Sequence, residues 1–465
     1  MNQLRKDIKK IFWLYAAMFL SLIIYLIKFL VFDSPSVIIN AYNPRLGALE
    51  KNIVRGEIRD SKGIVLARTK KNGDTWIREY PKGRDFAHVV GFVQKGKTGI
   101  EAYSNFKLLE VSNKMMQTVD RMFSGDNFQG NHVILTMDAE LQHTARELLN
   151  GRKGAIVVME PSTGKILAMV SYPDFDPNQL NQNWEQLNKD EENSPLINRA
   201  AQGLYPPGSI FKMITSAAVL EKNEDWKDFH YNCTGEEIFD ENLIRCFNSK
   251  AHGEVDLESA FYLSCNTGFA TLGIDVGGEQ LGRISERLLF NRNLPYELEY
   301  SKSQFRITKD SKDREIVETA IGQGKTLVSP LHMAMITSAI ANGGILMQPY
   351  IIDHVETNYG SIKDKKIPQS YGILFEPEIA SQLSKMMTDV VNKGTGTQAK
   401  ISNVSVSGKT GTAQNASGKD HAWFVGFAPT EKPKAVVAVI IENGGSGGQV
   451  AGPIARQLFQ KVLNQ

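Results

Sequence analysis

Residues 11–32 set the first condition on any fold this chain can adopt, because an apolar run of that length must leave water, either inside a protein core or inside a lipid bilayer. Arg5, Lys6, Lys9 and Lys10 precede it against one acid, Asp7, and Lys28 stands near its far end, where its amine can reach lipid headgroups. A basic flank ahead of the run keeps that end in the cytoplasm, so the chain beyond the run is expected to face outward. A cleaved signal peptide is the alternative, but the run is long for the apolar part of a signal and no small-x-small site comes after it. The reading is a cytoplasmic tail at 1–10, a transmembrane anchor at 11–32, and a single-pass protein of the cell membrane with its remainder extracytoplasmic.

A length of 465 residues suggests two or three domains. Lys and Arg (53) nearly balance Asp and Glu (51), and with no basic stripe the sequence gives no sign of a nucleic-acid partner. Residues 33–131 read as a strand-rich module with many turns, among them Arg55-Gly56 and His88-Val89-Val90-Gly91. No catalytic cluster stands out there, and the module is expected to be a pedestal that lifts the next domain off the membrane.

Residues 132–465 read as one α+β domain. A helix is expected at 139–149, then a hairpin of two buried strands at 155–159 and 166–170, with three more strands at 405–407, 422–428 and 435–441. Early and late strands sharing one sheet would enclose the helices between them. In their midst, Tyr205-Pro206-Pro207-Gly208-Ser209-Ile210-Phe211-Lys212 stops the preceding backbone and opens a buried apolar helix. Ser209 and Lys212 are three residues apart on one helix face, so a buried, deprotonated lysine amine can reach the serine hydroxyl. That pairing makes a nucleophile and its base.

Ser-x-x-Lys alone is weak, since chance supplies about two in such a length. Ser104 to Lys107 comes after a glycine-rich loop, and Ser162 to Lys165 lies in a turn between two strands; only Ser209 opens a buried helix. Ile321-Gly322-Gln323-Gly324-Lys325-Thr326 invites a phosphate-loop reading but fails its spacing, because Thr319 stands where the first glycine belongs. Lys97-Thr98-Gly99 reads as turn chemistry. Ser264-Cys265-Asn266 and Lys409-Thr410-Gly411-Thr412 remain, the latter expected at the end of a strand spanning 404–407, with Gly411 allowing a substrate backbone to approach the strand edge.

With its Ser-x-x-Lys, Ser-x-Asn and Lys-Thr-Gly motifs in this order, the chain resembles the penicillin-binding transpeptidases. Residues 154–174, 198–212, Val328-Ser329-Pro330-Leu331-His332 and His421-Ala422-Trp423-Phe424-Val425-Gly426 are similar to the short class B members, as are the anchor and pedestal with Arg55-Gly56 and Gly99-Ile100-Glu101. The resemblance implies the penicillin-binding transpeptidase fold, an antiparallel sheet with helices on both faces. It implies that Ser209 attacks the penultimate D-alanine of a peptidoglycan stem peptide, releasing terminal D-alanine and leaving an acyl-enzyme. An amine of a neighbouring stem then makes a 4,3-type cross-link. Lys212 would be the base, Ser264 the proton carrier to the leaving amine, and Asn266 the holder of Lys212 or of the substrate amide. Lys409 would hold positive potential near the substrate carboxylate and help keep Lys212 neutral, Thr410 would bind that carboxylate, and the amides of Ser209 and Thr412 would form the oxyanion hole. β-Lactam antibiotics would acylate the same serine, no cofactor would be needed, and a SEDS-family glycan polymerase would be the partner. A β-lactamase or a membrane β-lactam sensor could use the same acyl-serine. The first needs a deacylating carboxylate motif that is not evident, and the second a large cytoplasmic part where residues 1–10 stand.

All three cysteines, Cys233, Cys246 and Cys265, fall close together in sequence with His252 among them. A disulfide between Cys233 and Cys246, three unrelated buried thiols, and a closed Cys3His zinc site using Cys233, Cys246, His252 and Cys265 are the readings, the last preferred. Some relatives look similar in this segment and carry such a site, with Asp256 as a substitute ligand here.

Overall fold

The structure is a computed structural model that describes residues 2–29, 53–73, 75–113, 116–118, 127–222, 225–415 and 418–464. Its first element, helix α1 (Asn2–Lys28), carries its apolar side chains exposed, Phe12 at 63% and Phe19 at 66%, so no protein core takes them up. It is long and apolar enough to cross a membrane. The last residues of the expected anchor, 30–32, and the first of the pedestal lie outside the described residues.

A six-stranded sheet joins the N-terminal module to later parts of the chain: Ile58–Arg59, Val65–Asn72 and Thr75–Glu79 pair in sequence, and His132–Leu135 runs parallel to the first. Ile352–Glu356 and Ile362–Lys363, far along the chain, complete its other edge. Short helices at Ala87–Val90, Gly99–Tyr103 and Asn105–Leu109 stand where turns and strands were expected, so His88 to Val90 is helical rather than a turn. The second of them is pinned at its first turn by Glu101, fully buried between Arg55 and Arg78, each with its Nε 2.6 Å from one carboxylate oxygen. A buried carboxylate is tolerable only when paired in this way.

The larger unit is organised by an antiparallel five-stranded sheet. Helix α2 (Ala139–Leu149) leads into β1 (Gly154–Met159) and β2 (Ile166–Tyr172). Helices α3 (Lys212–Lys222), α4 (Leu257–Leu263), α5 (Asn266–Arg287) and α6 (Pro330–Ala341) come next. Strands β3 (Ser407–Ala413), β4 (His421–Ala428), β5 (Ala435–Ile441) and helix α7 (Gly447–Leu463) close the chain. The sheet order is β3-β4-β5-β1-β2, so early and late strands do share one sheet.

Period-two alternation of an almost wholly apolar β5 explains how this sheet is covered on both faces. Val436, Ala438 and Ile440 join the core that includes Met213 and Ile214 of α3 and Leu331 of α6. Val437, Val439 and Ile441 join Leu141 of α2 with Ile454 and Leu458 of α7 on the opposite face. Each fully buried Val, Ile or Leu contributes about 1.5–3 kcal/mol, which is ample to fix the register. Strand β3 is one of the sheet's two edges, and its beginning differs from expectation: 404–406 lie outside it and Lys409 sits within the strand rather than beyond its end.

Candidate active site

Ser209 lies in a single 3-10 turn, Gly208–Phe211, and the α-helix proper begins at Lys212. The turn is held from three sides. Gly208 donates its N–H to the carbonyl of Gly322 at 2.8 Å, Trp423 donates Nε1–H to the carbonyl of Pro206 at 3.1 Å, and Tyr205 and Val328 exchange backbone hydrogen bonds of 3.0 and 2.9 Å. Gly322 has φ +83°, and a Cβ there would fall 1.8 Å from the Gly208 oxygen. Sequence reasoning left the 321–324 loop as structural; its glycine is what lets it brace the nucleophile turn.

The amine of Lys212, fully buried, donates to the Ser264 carbonyl at 2.8 Å, to Ser264 Oγ at 3.2 Å and to Asn266 Oδ1 at 2.7 Å. Among the described residues no hydrogen bond joins it to Ser209 Oγ. Burial pulls its pKa down to about 8, against a smaller upward pull from the thiols of Cys265 and Cys246. Lys409, also fully buried, donates to Ser264 Oγ and to the carbonyl of Thr410, each at 3.1 Å. Burial first, and then the Lys212 charge, hold it well below the usual lysine range. Ser264 Oγ therefore bridges two amines that compete for protons. Ser264 is in the left-handed region at φ +59° as the C-cap of α4, a conformation that costs a non-glycine residue about 1 kcal/mol. Asn266 Nδ2 is fixed by the carbonyl of Arg245 at 2.7 Å.

On β3, Thr410 Oγ1 lies 2.6 Å from Thr395 Oγ1, a residue the sequence reading missed because it belongs to no recognised triplet. Gly411 serves a purpose other than the one expected: a Cβ there would meet Trp423, Ile210 and the Pro207 carbonyl at 3.0–3.1 Å, so the missing side chain seats the nucleophile turn on the strand. The backbones that carry the Ser209 and Thr412 amides touch, since a Cβ on Gly208 would come 2.7 Å from the Thr412 oxygen. Ser209, Ser264, Asn266, Thr410 and Thr412 all line one cavity of about 800 Å³. Ser104 lies in the N-terminal module, Ser162 in the β1–β2 turn, and neither lines it.

The four expected metal ligands also converge. Cys233 Sγ is 3.7 Å from Cys246 Sγ and 3.4 Å from His252 Nδ1, and Cys246 Sγ is 3.8 Å from Cys265 Sγ. Short strands bring them in: Tyr231–Cys233 pairs with Gly253–Val255, and Cys265 is the N-cap of α5. Thr267 Oγ1 lies 3.3–3.7 Å from all three sulfurs, and the amides of Asn266 and Gly268 donate to Cys246 and Cys265 at 3.3 and 3.4 Å. Cys246 is driven down by a hydrogen bond from Cys265, whose own pKa rises in consequence. Asp256 is not part of the group; it caps α4, accepting from the amide of Ser259.

Residues 154–460 match the family described as penicillin binding protein transpeptidase domain, and residues 55–133 the penicillin binding protein A dimerisation domain. The peptidoglycan D,D-transpeptidase PbpA of Mycolicibacterium smegmatis is 30% identical over 94% of this chain and 94% of its own length. The D,D-transpeptidase domain of a peptidoglycan glycosyltransferase from Eggerthella lenta superposes with a TM-score of 0.81 at 34% identity, covering 89% of this chain and 99% of that one. Penicillin-binding protein A from Mycobacterium tuberculosis, solved as a ceftriaxone acyl-enzyme complex, gives 0.83 at 29% identity over 89% and 100% of the two chains.

Proposed function

The chain belongs to the class B penicillin-binding proteins and is a peptidoglycan D,D-transpeptidase, and from that premise we propose that Ser209 is its acylated nucleophile and Lys212 the base. One observation carries this assignment: two buried amines, Lys212 and Lys409, meet on the hydroxyl of Ser264 at the floor of the cavity that Ser209 lines. A neutral Lys212 can donate its two N–H groups to the Ser264 carbonyl and Asn266 Oδ1, which leaves its lone pair for the Ser209 proton. Ser209 Oγ then bonds to the carbonyl carbon of the penultimate D-alanine, and the amides of Ser209 and Thr412 take the developing oxyanion. As the C–N bond breaks, the proton on Lys212 reaches the leaving D-alanine amine through Ser264 Oγ. An amine from a second stem peptide attacks the ester, loses its proton along the same path, and restores Ser209. Lys409 and Thr410 receive the terminal carboxylate of the donor, and a β-lactam carboxylate in the same way. Mass spectrometry of the intact protein with benzylpenicillin tests the assignment: one adduct on the wild type and none on Ser209→Ala is expected, and a full adduct on Ser209→Ala refutes it.

The same reading puts α1 in the membrane with its basic start inside, residues 33–131 as pedestal, residues 132–465 as catalytic domain, and a SEDS-type glycan polymerase as partner. It also includes a structural zinc ion. Bonds of about 2.3 Å to sulfur and 2.0 Å to nitrogen at tetrahedral angles set edges of about 3.8 Å between sulfurs and about 3.5 Å between sulfur and nitrogen. The observed separations of 3.7, 3.8 and 3.4 Å fit that donor set. Cys233, Cys246, His252 and Cys265 would fill every position, leaving none for a reacting water, so the ion would hold Cys265 and through it the Ser264 and Asn266 backbone.

A further inference from the structure

Asp420 is a charged residue of the cavity that the acyl-transfer steps leave unused. The cavity wall carries five ionisable side chains: Arg245, Cys246, His252, Glu318 and Asp420, with Cys246 belonging to the cysteine cluster. Arg245 pairs with Glu236 at 3.1 Å, His252 belongs to the cysteine cluster, and Glu318 accepts from Arg314 and Asn242 at 3.2 Å each. The Asp420 carboxylate has no hydrogen bond or ion pair among the described residues, although its backbone carbonyl is tied to the amide of Gly445 at 2.8 Å. It is a half-buried carboxylate with no ion pair among the described residues, beside a His421 imidazole whose pKa burial lowers, and it is fixed by its backbone and open to the cavity.

Its place relative to β3 says which part of a substrate it meets. Thr410, Thr412 and Gln414 line the cavity in alternation, as side chains on one face of a strand do. The terminal carboxylate of a donor stem belongs at Thr410 and its scissile carbonyl at Thr412, so the rest of an extended peptide along this edge runs toward Gln414. Ala413 pairs with His421, which sets Asp420 beside Gln414 at the mouth of the β3–β4 hairpin. One strand residue advances about 3.4 Å, so the third residue from the stem's end arrives there, and a lysine-length side chain spans the rest.

Resting on the transpeptidase reading, we infer that Asp420 is a specificity residue for donor stems whose third residue is a diamino acid with a free terminal amine. The incoming ammonium supplies the cation this carboxylate lacks. A charge-assisted hydrogen bond at a half-exposed site is expected to change kcat/KM about fivefold to tenfold.

The test uses full-length protein in detergent and thioester analogues of Nα-acetyl-L-lysyl-D-alanyl-D-alanine, with the ε-amine free, acetylated or succinylated. No acceptor is present, so only donor acylation is read, and benzylpenicillin counts active sites in each preparation. Wild type should favour the free amine at least fivefold over the acetylated peptide, Asp420→Asn should bring that ratio near one, and Asp420→Lys should favour the succinylated peptide. A wild-type ratio below two, or a ratio that Asp420→Asn leaves unchanged, overturns the inference. Wild-type protein that benzylpenicillin does not acylate overturns instead the transpeptidase reading beneath it.

Discussion

The pH dependence of acylation is a direct consequence of the burial of Lys212. Only its neutral form can accept the Ser209 proton, and its pKa stands at about 8 where a free lysine would be near 10.5. The neutral fraction is then about 1% at pH 6, about 9% at pH 7 and about 90% at pH 9. The second-order rate constant for acylation by a fluorescent penicillin should rise about a hundredfold between pH 6 and pH 9 and level off. An unshifted lysine would give about a thousandfold over the same interval with no plateau before pH 11. Stopped-flow fluorescence at constant ionic strength separates the two, and a rate still climbing tenfold per unit at pH 9.5 would refute the reasoning. Stability should move in the same direction. With the folded pKa depressed below that of the unfolded chain, the unfolded state binds more protons between about pH 8 and 10.5, so this group makes the fold more stable as pH rises through that window. Lys212→Ala should lower the acylation rate by about 100-fold or more, the usual cost of a lost general base.

Other features carry their own tests. Protein purified without chelator should hold about one zinc per chain by elemental analysis and show three free thiols when denatured; no zinc with one free thiol selects the disulfide instead. Gly322→Ala, which sets a Cβ 1.8 Å from the Gly208 oxygen, should slow penicillin acylation by at least tenfold, and near-normal acylation means the 321–324 loop does not set the nucleophile turn. Full-length protein should stay with membranes through an alkaline carbonate wash while a chain starting near Ser34 is soluble; release by the wash argues for cleavage of α1.

What the sequence disclosed and what it hid divide along physical lines. Helix α2 was legible to its ends because Asp138 caps one and Asn150, in the left-handed region, ends the other. The sheet strands were legible because β5 and β1 are continuous apolar runs bounded by turns. The Cys233, Cys246, His252 and Cys265 juxtaposition was legible only as a count, since long intervening segments carry no periodic signal. Thr395 was not legible, because its importance is a 2.6 Å contact with Thr410 made across the fold. The start of β3 was misplaced for a similar reason: Lys409 and Gly411 are poor strand formers on either side of a favourable Thr410, and it is pairing with Val425, Phe424 and Trp423 that makes the three a strand. Gly411 was assigned to substrate access, whereas the residues it admits are Ile210 and Trp423 of the protein itself.

The central claim is that acyl transfer passes through Ser209, and mapping the acylated residue tests it most directly. Trypsin cutting after Arg199 and Lys212 releases residues 200–212 as one peptide, which contains Ser209 and no other serine. After brief treatment with benzylpenicillin and acid quenching, tandem mass spectrometry should find the added mass on that peptide and on Ser209. An adduct located instead on a peptide bearing Ser104, Ser162 or Ser264 would contradict the account.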